Sequence, residues 1–556
     1  MNVRSLAAVI SILMGCILMT TDVVQADSGL IGHWPLAGDC RDHSRNGNHG
    51  RNHGVDLTAK GPDGKANGAA SFDGRDDWVE VPSSPSLALG AKDFTIAAWV
   101  HTDKDLDDVL GDVVSKYDPA KRRGVNVNIK IHQGVTSTQA NYRNVEFGID
   151  NARIEPSWTD CGRPGNNIFV CALAVYDDHL YAGTFETGEH ETGHVYRYAS
   201  GKAWVDCGSP DKANAVFCLA QYNGKLYAGT ASYRARGSAL PDSKNTTPGG
   251  CVYRYEGDKT WVACGRLGDA NEVYAMVVYK GRLYAIPMYS PGVFEFDGKS
   301  TWKYIGTPGD NRSMALGVWN GHLWNTGNGG AGMWWYESGT TWRDCGKQAA
   351  EHQTYSILVY EGNLYTGTWP HGSVFRYDGG TTWTCIGRLG DELEVMAMTV
   401  YNGKLYAGTL PLGQVYRYDG GTTWTCTGQL DKTPDVKYRR AWSMAVYRGR
   451  LFCGTLPSGH VLSIEAGKCV TYDRELAPGW RHLAAIRNGS RLELYVDGIP
   501  VATSTTFKPA DFDLANNRPL KIGFGAHDYF NGCISDVRIY DRALSAAQLT
   551  DLYRRK

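Results

Sequence analysis

Short apolar and aromatic runs alternate with polar, glycine-rich turns along most of the chain. Residues 395–427 show the pattern in full, because the runs VMAMTVY and VYRY stand beside the turns Asn402-Gly403 and Asp419-Gly420-Gly421. Runs of about four to eight residues between such turns predict β-strands. We therefore predict strands at 395–401, 405–409, 414–418 and 423–427, which together form one antiparallel sheet.

The same unit recurs through the middle of the chain. A period of about 40 residues indicates an array of supersecondary units that bury their faces against one another. The second strand repeatedly ends in Ala-Gly-Thr, which favours sheets that converge on a crowded axis, as in a β-propeller. Successive copies end in a tryptophan, with steps of 46, 57, 41, 40, 41 and 41 residues, at Trp158, Trp204, Trp261, Trp302, Trp342, Trp383 and Trp424.

The two ends of the array predict how the ring closes. It opens with a single strand at 157–161 and ends with three strands within 442–464, so the first strand can complete the last sheet. We predict a seven-bladed propeller over residues 153–468. An open array, or a ring of six or eight blades, is the alternative.

Short strands also dominate the two flanking segments. In residues 28–152 we predict strands at 32–36, 69–73, 78–81 and 94–100, with a polar loop between the first two. In residues 469–556 we predict strands at 480–486, 492–496, 501–503, 520–523 and 534–540. The spacing Ser545-x-x-Gln548 is a capping box, which predicts a short helix at the end of the chain. The whole chain is therefore predicted to be all-β apart from this helix.

Charge and targeting patterns narrow the class of protein. Lys and Arg number 57 and Asp and Glu 58, without basic runs, so nucleic acid is not an expected partner. Residues 1–26 have an apolar core and a small-residue exit, which is typical of a secretory signal peptide. We expect a secreted, extracellular or periplasmic protein. Leu13-Met14-Gly15-Cys16 also permits a lipid anchor at Cys16, as a less favoured alternative, and no later run is long enough to span a membrane.

Cysteines recur in the repeat, close behind the closing tryptophan. Cys161, Cys207, Cys264 and Cys345 follow it by three residues, and Cys385 and Cys426 by two. This regularity favours small buried core residues over a metal site. In an oxidising compartment, the pairs 161/171, 207/218 and 251/264 are also candidates for disulfides.

Both flanks resemble a laminin-G-like, concanavalin A-like jelly roll. HWPLAGDCRDHSRNGNHG, GAASFDGRDDWVEVP and DFTIAAWV are similar to its first half, and GWRHLAAIRNGSRLELYVDGIPVA, PLKIGFG and FNGCISDVRIYDRALSAAQL to its second. The resemblance implies one sandwich, split by the propeller. The repeat itself resembles kelch-type repeats, and its turn is similar to the structural Asp-box at 378–383 and 419–424.

The jelly-roll resemblance also implies a calcium site. Asp39, Asp42, Asn46 and Asn48 would supply oxygens from the loop DCRDHSRNGNHG, with Asp536 as a partner from the last strand. His43 and Arg45 depart from the usual family loop. The alternative interpretation is a solvated Asx-rich turn that holds no ion.

The loops at one rim of the propeller are the other candidate site. Aromatic rings surrounded by arginine and amide groups suit stacking on sugar rings and hydrogen bonds to hydroxyl groups. Residues that differ between repeats are better candidates than repeated ones, since repeated residues serve turn geometry. The predicted ligand-binding residues are Trp369, His371, Arg312, Tyr289, Tyr233 and Arg163.

These features favour a carbohydrate-binding or adhesion protein whose partner is a glycan or an extracellular protein. A sialidase-like glycoside hydrolase is an alternative, but the acidic residues near the rim, among them Glu186, Asp269, Glu272, Asp391 and Glu394, are not sorted into a catalytic pair by the sequence. A protein-interaction scaffold is a third possibility. The sequence contains no G-x-S-x-G, H-E-x-x-H or phosphate-binding loop.

Overall fold

The computed structural model describes residues 28–132, 139–152 and 157–555. The predicted signal peptide, Cys16 and the junction at residue 153 lie outside these residues. The described chain is all-β with a short terminal helix, as predicted. No helix in these ranges is long and apolar enough to cross a membrane.

A two-sheet sandwich is built from the two ends of the chain. Its outer sheet has the order β3-β4-β44-β6-β40-β41-β42, with β1 beside β44, and its inner sheet has the order β2-β5-β43-β7-β8-β9-β39. Each sheet thus combines strands from before and after the repeats. The strands are β1 Leu30–Trp34, β2 Arg51–His53, β3 Asp56–Ala59, β4 Ala69–Asp73, β5 Trp78–Val81, β6 Phe94–Thr102, β7 Gly111–Asp118, β8 Arg123–His132, β9 Asn141–Asn151, β39 Lys468–Tyr472, β40 Gly479–Asn488, β41 Arg491–Val496, β42 Ile499–Thr503, β43 Leu520–Ile522 and β44 Asn531–Tyr540.

The predicted terminal helix, α1, spans Ala546–Arg554. Ser545 Oγ accepts a hydrogen bond from the Gln548 backbone N–H, and the Gln548 side chain accepts one from the Ser545 backbone, which confirms the capping box. Leu549 and Leu552 are buried against Tyr540 and the outer sheet.

The repeats form the propeller. Its strands are β10 Thr159–Asp160, β11 Phe169–Tyr176, β12 His179–Phe185, β13 Val195–Ser200, β14 Ala203–Asp206, β15 Ala215–Tyr222, β16 Lys225–Ala231, β17 Cys251–Gly257, β18 Thr260–Arg266, β19 Ala275–Tyr279, β20 Arg282–Ile286, β21 Phe294–Phe296, β22 Trp302–Tyr304, β23 Ser313–Trp319, β24 His322–Gly327, β25 Met333–Ser338, β26 Thr341–Asp344, β27 Gln353–Thr354, β28 Leu358–Tyr360, β29 Asn363–Trp369, β30 Ser373–Gly379, β31 Thr382–Arg388, β32 Glu394–Tyr401, β33 Lys404–Leu410, β34 Gln414–Gly420, β35 Thr423–Gln429, β36 Arg440–Tyr447, β37 Arg450–Leu456 and β38 Val461–Ile464. The four strands predicted within 395–427 correspond to β32–β35.

The prediction of seven separate blades is wrong in its count. Among the described residues, five repeats form separate sheets, while β11–β14 and β15–β18 are joined into one eight-stranded sheet. The junction is the pairing of Phe185 with Ala215, between β12 and β15. Counting repeats in a sequence does not reveal where two neighbouring repeats share backbone pairing.

Closure of the ring follows the predicted scheme. Thr159 and Asp160 of β10 pair with Ser463 and Leu462 of β38, so the first strand completes the last sheet. Strands distant in sequence therefore meet at the closure.

The repeated tryptophans link neighbouring repeats. The indole Nε1–H of Trp383 donates to the carbonyl oxygen of Cys345 at 2.8 Å, and Trp424 donates to that of Ile386 at 3.0 Å. The same bond joins Trp204, Trp261, Trp302 and Trp342 to the preceding repeat. Trp158 donates to Thr427 Oγ1 at 3.1 Å across the closure. These side chains stabilise the ring rather than a ligand site.

The cysteine predictions are corrected in part. All thirteen cysteines among the described residues are free thiols, so the three candidate disulfides do not form. The cysteines three residues after the tryptophan are buried, as predicted, but Cys385 and Cys426 are exposed. Side chains alternate between the two faces of a strand, so a shift of one residue turns these two thiols outward.

The inner sheet of the sandwich covers one end of the propeller axis. Along β8, Val125, Val127 and Ile129 enter the sandwich core, and the intervening side chains of β8 lie against the propeller. His132 Nε2 donates to the carbonyl oxygen of Met398 at 2.6 Å. Lys130 Nζ donates to the carbonyl oxygen of Val400 and forms a 2.8 Å ion pair with Glu146.

The first hairpin of several repeats docks on the sandwich. Backbone N–H groups at these tips donate to sandwich acceptors, from Lys280 to Leu106 O (2.7 Å), Asn320 to Asp108 Oδ2 (3.1 Å), Glu361 to Ala526 O (3.1 Å), Asn402 to Glu146 Oε1 (3.1 Å) and Arg448 to Asp473 Oδ2 (3.0 Å). The opposite end of the axis carries the rim loops and is the end that a ligand can reach.

Candidate functional site

Two layers of side chains occupy equivalent positions in the repeats, in the first strand or just before it. One layer is supplied by the residue five positions before the aromatic residue that ends the strand, and it is mostly apolar: Cys171, Phe217, Tyr274, Met314, Tyr355, Met396 and Trp442. The other is supplied by the residue seven positions before it, and it varies: Phe169, Ala215, Glu272, Arg312, Gln353, Glu394 and Arg440. Members of both layers line one cavity: Tyr274, Met314, Tyr355 and Trp442 from the first layer, and Arg312, Gln353, Glu394 and Arg440 from the second.

A cavity of about 200 Å³ opens above the apolar layer. Its lining combines rings with a few polar groups, which is typical of small-molecule sites. The loop from Ser232 to Gly250, an insertion relative to the other repeats, supplies part of the wall. The lining residues are Tyr233, Gly237, Ser238, Tyr274, Met288, Tyr289, Arg312, Met314, Asn328, Gln353, Tyr355, Glu394, Arg440 and Trp442.

Arg440 is a buried cation in this cavity. Its guanidinium lies 5.7 Å from the ring of Trp442. Nη1 donates to Ser238 Oγ, and the same hydroxyl is 2.6 Å from Tyr233 Oη, so the inserted loop holds the guanidinium in place. Nε is buried without a hydrogen-bond partner. A buried, unpaired N–H group is costly, so an added acceptor at this atom would stabilise the site.

Glu394 is the corresponding buried acidic residue. Burial raises the pKa of its carboxyl group, although the charge of Arg440 and the hydroxyl of Tyr355 oppose the shift. Burial also disfavours the charged form of Arg440, but Glu394 and the neighbouring tyrosines outweigh it and raise the pKa of Arg440. Oε1 of Glu394 is buried without a partner. The cavity thus presents an unpaired donor and an unpaired acceptor.

The structure brings together half of the predicted ligand residues. Tyr233, Tyr289 and Arg312 line the cavity. Trp369 packs at the edge of the apolar layer, which places it near the cavity but not in its lining.

Two predicted residues lie elsewhere. His371 is exposed and lies 3.3 Å from a carboxylate oxygen of Glu351. Arg163 is exposed and donates to the backbone oxygens of Asn166 and Asn167 in its own loop. Both therefore belong to the outer rim.

Sequence reasoning missed Arg440 and left Glu394 among several undirected acidic residues. The signal was present in the repeat, because both occupy the position where Phe169 and Ala215 stand in the first two repeats. Charged residues at one register position of an otherwise apolar strand mark a functional position better than the loop residues do.

The predicted calcium loop is organised by its own hydrogen bonds. Asp42 Oδ1 accepts from the backbone N–H groups of His33 and Ser44, and Oδ2 accepts from Ser44 Oγ and the Asn48 backbone. These bonds oppose burial and lower the pKa of Asp42. The carboxylate already has four donors, so it is not available to an ion.

The other predicted calcium ligands hydrogen-bond to neighbouring protein groups or are exposed. Asp536 accepts from His33 Nε2 at 2.7 Å and from Arg538 Nε at 3.0 Å. Asn48 bonds to Ile31, Ser84 and Ser86, Asp39 accepts from the Arg41 backbone, and Asn46 is exposed. These residues do not fit a calcium cage. Within the described chain, the acidic group close enough to hold an ion is a different one, Asp73, Asp76 and Asp77.

The fold and the site define an all-β protein that joins a two-sheet sandwich to a propeller with an axial cavity. Residues 463–550 match the family model for the concanavalin A-like lectin/glucanases superfamily. The match covers β39–β44 and most of α1. This segment of the sandwich is therefore similar to that superfamily. No curated protein matches the chain.

Solved structures similar to the chain include several proteins at low identity. A catalytically inactive virginiamycin B lyase from Staphylococcus aureus, with quinupristin, is 10% identical with a TM-score of 0.44, over 56% of this chain and 99% of that chain. YCF48 bound to D1 peptide is 13% identical with a TM-score of 0.40, over 56% and 97%. The WD40 β-propeller domain of Doa1 is 9% identical with a TM-score of 0.32, over 67% and 97%. At these scores the likenesses carry no argument about this chain.

Proposed function

We propose that this chain is a secreted carbohydrate-binding protein and that its ligand enters the axial cavity of the propeller. The observation that carries the proposal is the cavity itself, in which rings of tyrosine and tryptophan surround buried, unpaired polar groups. Sugar rings offer apolar faces for stacking and hydroxyl groups for such donors and acceptors. The lectin-like segment at 463–550 agrees with this class of function.

We also propose that the propeller is an insertion into one concanavalin A-like sandwich. Both sheets combine strands from the two ends of the chain, which supports this organisation. The kelch-like and Asp-box-like character of the repeats belongs to the same proposal.

Hydrolysis of a glycoside is less well supported than binding. The usual mechanism needs two carboxylates on either side of the scissile bond. Of the described residues that line the cavity, Glu394 alone carries a carboxylate. A protein-interaction scaffold would instead show partner binding that free sugars do not compete away.

A glycan array with the secreted chain tests the proposal. We expect binding to a defined set of glycans, weakened by roughly tenfold in Tyr289→Ala because a stacking ring at the mouth is lost. Tyr304→Ala is the matched control, since Tyr304 is 47% exposed and lies outside the cavity lining. No glycan binding by the folded wild type would overturn the proposed function.

A further inference from the structure

The charges of the axial cavity define the class of ligand more narrowly than carbohydrate. Two arginines, Arg312 and Arg440, line the cavity against one carboxylate, Glu394. At the mouth, the guanidinium of Arg234 lies 4.8 Å from the ring centroid of Tyr289. Glu272 accepts the backbone N–H of the same Tyr289 at 2.8 Å. Three arginines therefore stand against two carboxylates in the cavity and at its mouth, so the surplus charge is positive and an anionic ligand is favoured.

The Arg440 guanidinium is arranged for a planar oxyanion. A guanidinium carries five N–H donors in a fixed plane. In the described part of the chain, Ser238 Oγ is its one hydrogen-bond acceptor, and Nε is buried without any. Carboxylates accept two parallel bonds from such a group, which gives both affinity and orientation.

Glu394 and the aromatic rings of the cavity suit the rest of a sugar ring. The Oε1 atom of Glu394 has no hydrogen-bond partner, and a sugar hydroxyl group could donate to it. Trp442, Tyr355 and Tyr274 supply apolar surface below. A cavity of about 200 Å³ accommodates a single sugar ring rather than an extended chain.

From this arrangement we propose that the axial cavity recognises a sugar bearing a carboxylate, a uronate residue, whose acid group binds Arg440 with Arg312 nearby and whose hydroxyl donates to Glu394. The inference rests on the proposed carbohydrate-binding function and specifies its ligand class. Arg440 is the residue that selects the acid over the neutral sugar.

Isothermal titration calorimetry with matched ligands tests the inference. The probes are D-glucuronate and D-galacturonate, the neutral sugars D-glucose and D-galactose, and cyclohexanecarboxylate, an acid with a six-membered ring and no hydroxyl groups. We expect the uronates to bind at least about tenfold more tightly than their neutral counterparts, because a charge-assisted pair is lost in the latter.

Two cavity variants are expected to act in opposite directions. Arg440→Met should weaken uronate binding by roughly 10- to 100-fold, and Glu394→Gln should strengthen it, since a like charge is removed while an acceptor oxygen remains. General damage to the site would weaken binding in both. Arg312→Gln, at a half-buried position, gives a second loss of charge with little risk to folding, and Arg388→Gln on the exposed rim is the control.

The outcomes separate the two levels of the proposal. Neutral sugars that bind as tightly as the uronates, with no effect of Arg440→Met or Arg312→Gln, would overturn the uronate inference and leave carbohydrate binding standing. Cyclohexanecarboxylate that binds as tightly as the uronates would overturn the sugar assignment itself, and the proposed function with it.

Discussion

The ion pair between Lys130 and Glu146 takes part in the contact between sandwich and propeller. The nitrogen and oxygen are 2.8 Å apart, and each side chain is 2% exposed. Glu146 Oε1 also accepts the backbone N–H of Asn402 in the propeller. Replacing Lys130 with methionine keeps the length of the side chain but leaves the carboxylate of Glu146 buried without its cation.

Breaking a buried pair from one side costs about 3–5 kcal/mol, since the remaining charge loses both water and partner. We expect Lys130→Met to lower the free energy of unfolding by about that amount. The pair of Lys65 and Asp63 is the matched control, because its atoms are 2.7 Å apart but the lysine side chain is 81% exposed. Lys65→Met should cost about 0–1 kcal/mol.

Equilibrium unfolding in urea measures both losses, followed by tryptophan fluorescence and by circular dichroism to identify separate transitions of the two units. Adding Glu146→Gln to Lys130→Met should recover part of the loss, because the amide removes the buried charge and keeps an acceptor for Asn402. The assignment of this pair to the buried contact would be refuted if Lys130→Met and Lys65→Met lowered the free energy of unfolding equally. It would also be refuted if the double variant recovered none of the lost stability.

Three further predictions concern the pH dependence, the thiols and the ring. Burial raises the pKa of Asp112 from 3.8 to about 7, so the folded state binds the proton more tightly, and the free energy of unfolding should fall as the pH rises through this interval. Asp112→Asn, which stays neutral, should flatten that part of a thermal-stability profile; an unchanged slope would contradict the assignment. Cys385 and Cys426 should be the fastest described thiols to react with a disulfide reagent in the native protein, and replacing both with serine should remove the fast phase; a fast phase that survives would place it on other cysteines. Trp383→Phe should lower the free energy of unfolding by about 1 kcal/mol in denaturant titrations through loss of its bond to Cys345, whereas no loss would contradict the link between repeats.

The repeat and its closure could be predicted from sequence because both depend on local signals. Each strand is bounded by its own turn residues. The single strand at the start of the array and the three strands at its end indicate that β10 completes the last sheet. The predicted strands at 69–73 and 78–81 coincide with β4 and β5. The sheet count could not be predicted in the same way, since the pairing of Phe185 with Ala215 depends on how closely two blades approach at the axis.

The contact between the two units could not be predicted from the same kind of signal. Strand β8 alternates apolar residues with Asn126, Asn128, Lys130 and His132, a pattern typical of a sheet with one solvated face. Here these polar side chains are buried as well. Lys130 and His132 donate to backbone carbonyls of the propeller, and a pattern along one strand does not reveal what covers it.

The candidate site was only half predictable for a related reason. Tyr233, Tyr289 and Arg312 stand where repeats differ in their loops, and the structure places all three in the lining of the cavity. Glu394 and Arg440 are the first residues of β32 and β36, where a charged residue in the sequence is easily taken for the end of the preceding loop. Their position becomes meaningful only when the repeats are placed around one axis, because four repeats then bring the same register position to one cavity.

The docked sandwich also bears on where a ligand can bind. The polar face of the inner sheet, including Lys130 and Glu146, is buried against the first hairpins of the repeats. This face is therefore closed to a large glycan, and so is that end of the propeller axis. The opposite end holds the cavity with Arg440, Glu394 and the inserted loop. The family match falls on the sandwich, whereas the proposed ligand site, with the unpaired groups of Arg440 and Glu394, lies in the propeller. In this proposal the sandwich is the base on which the binding unit stands.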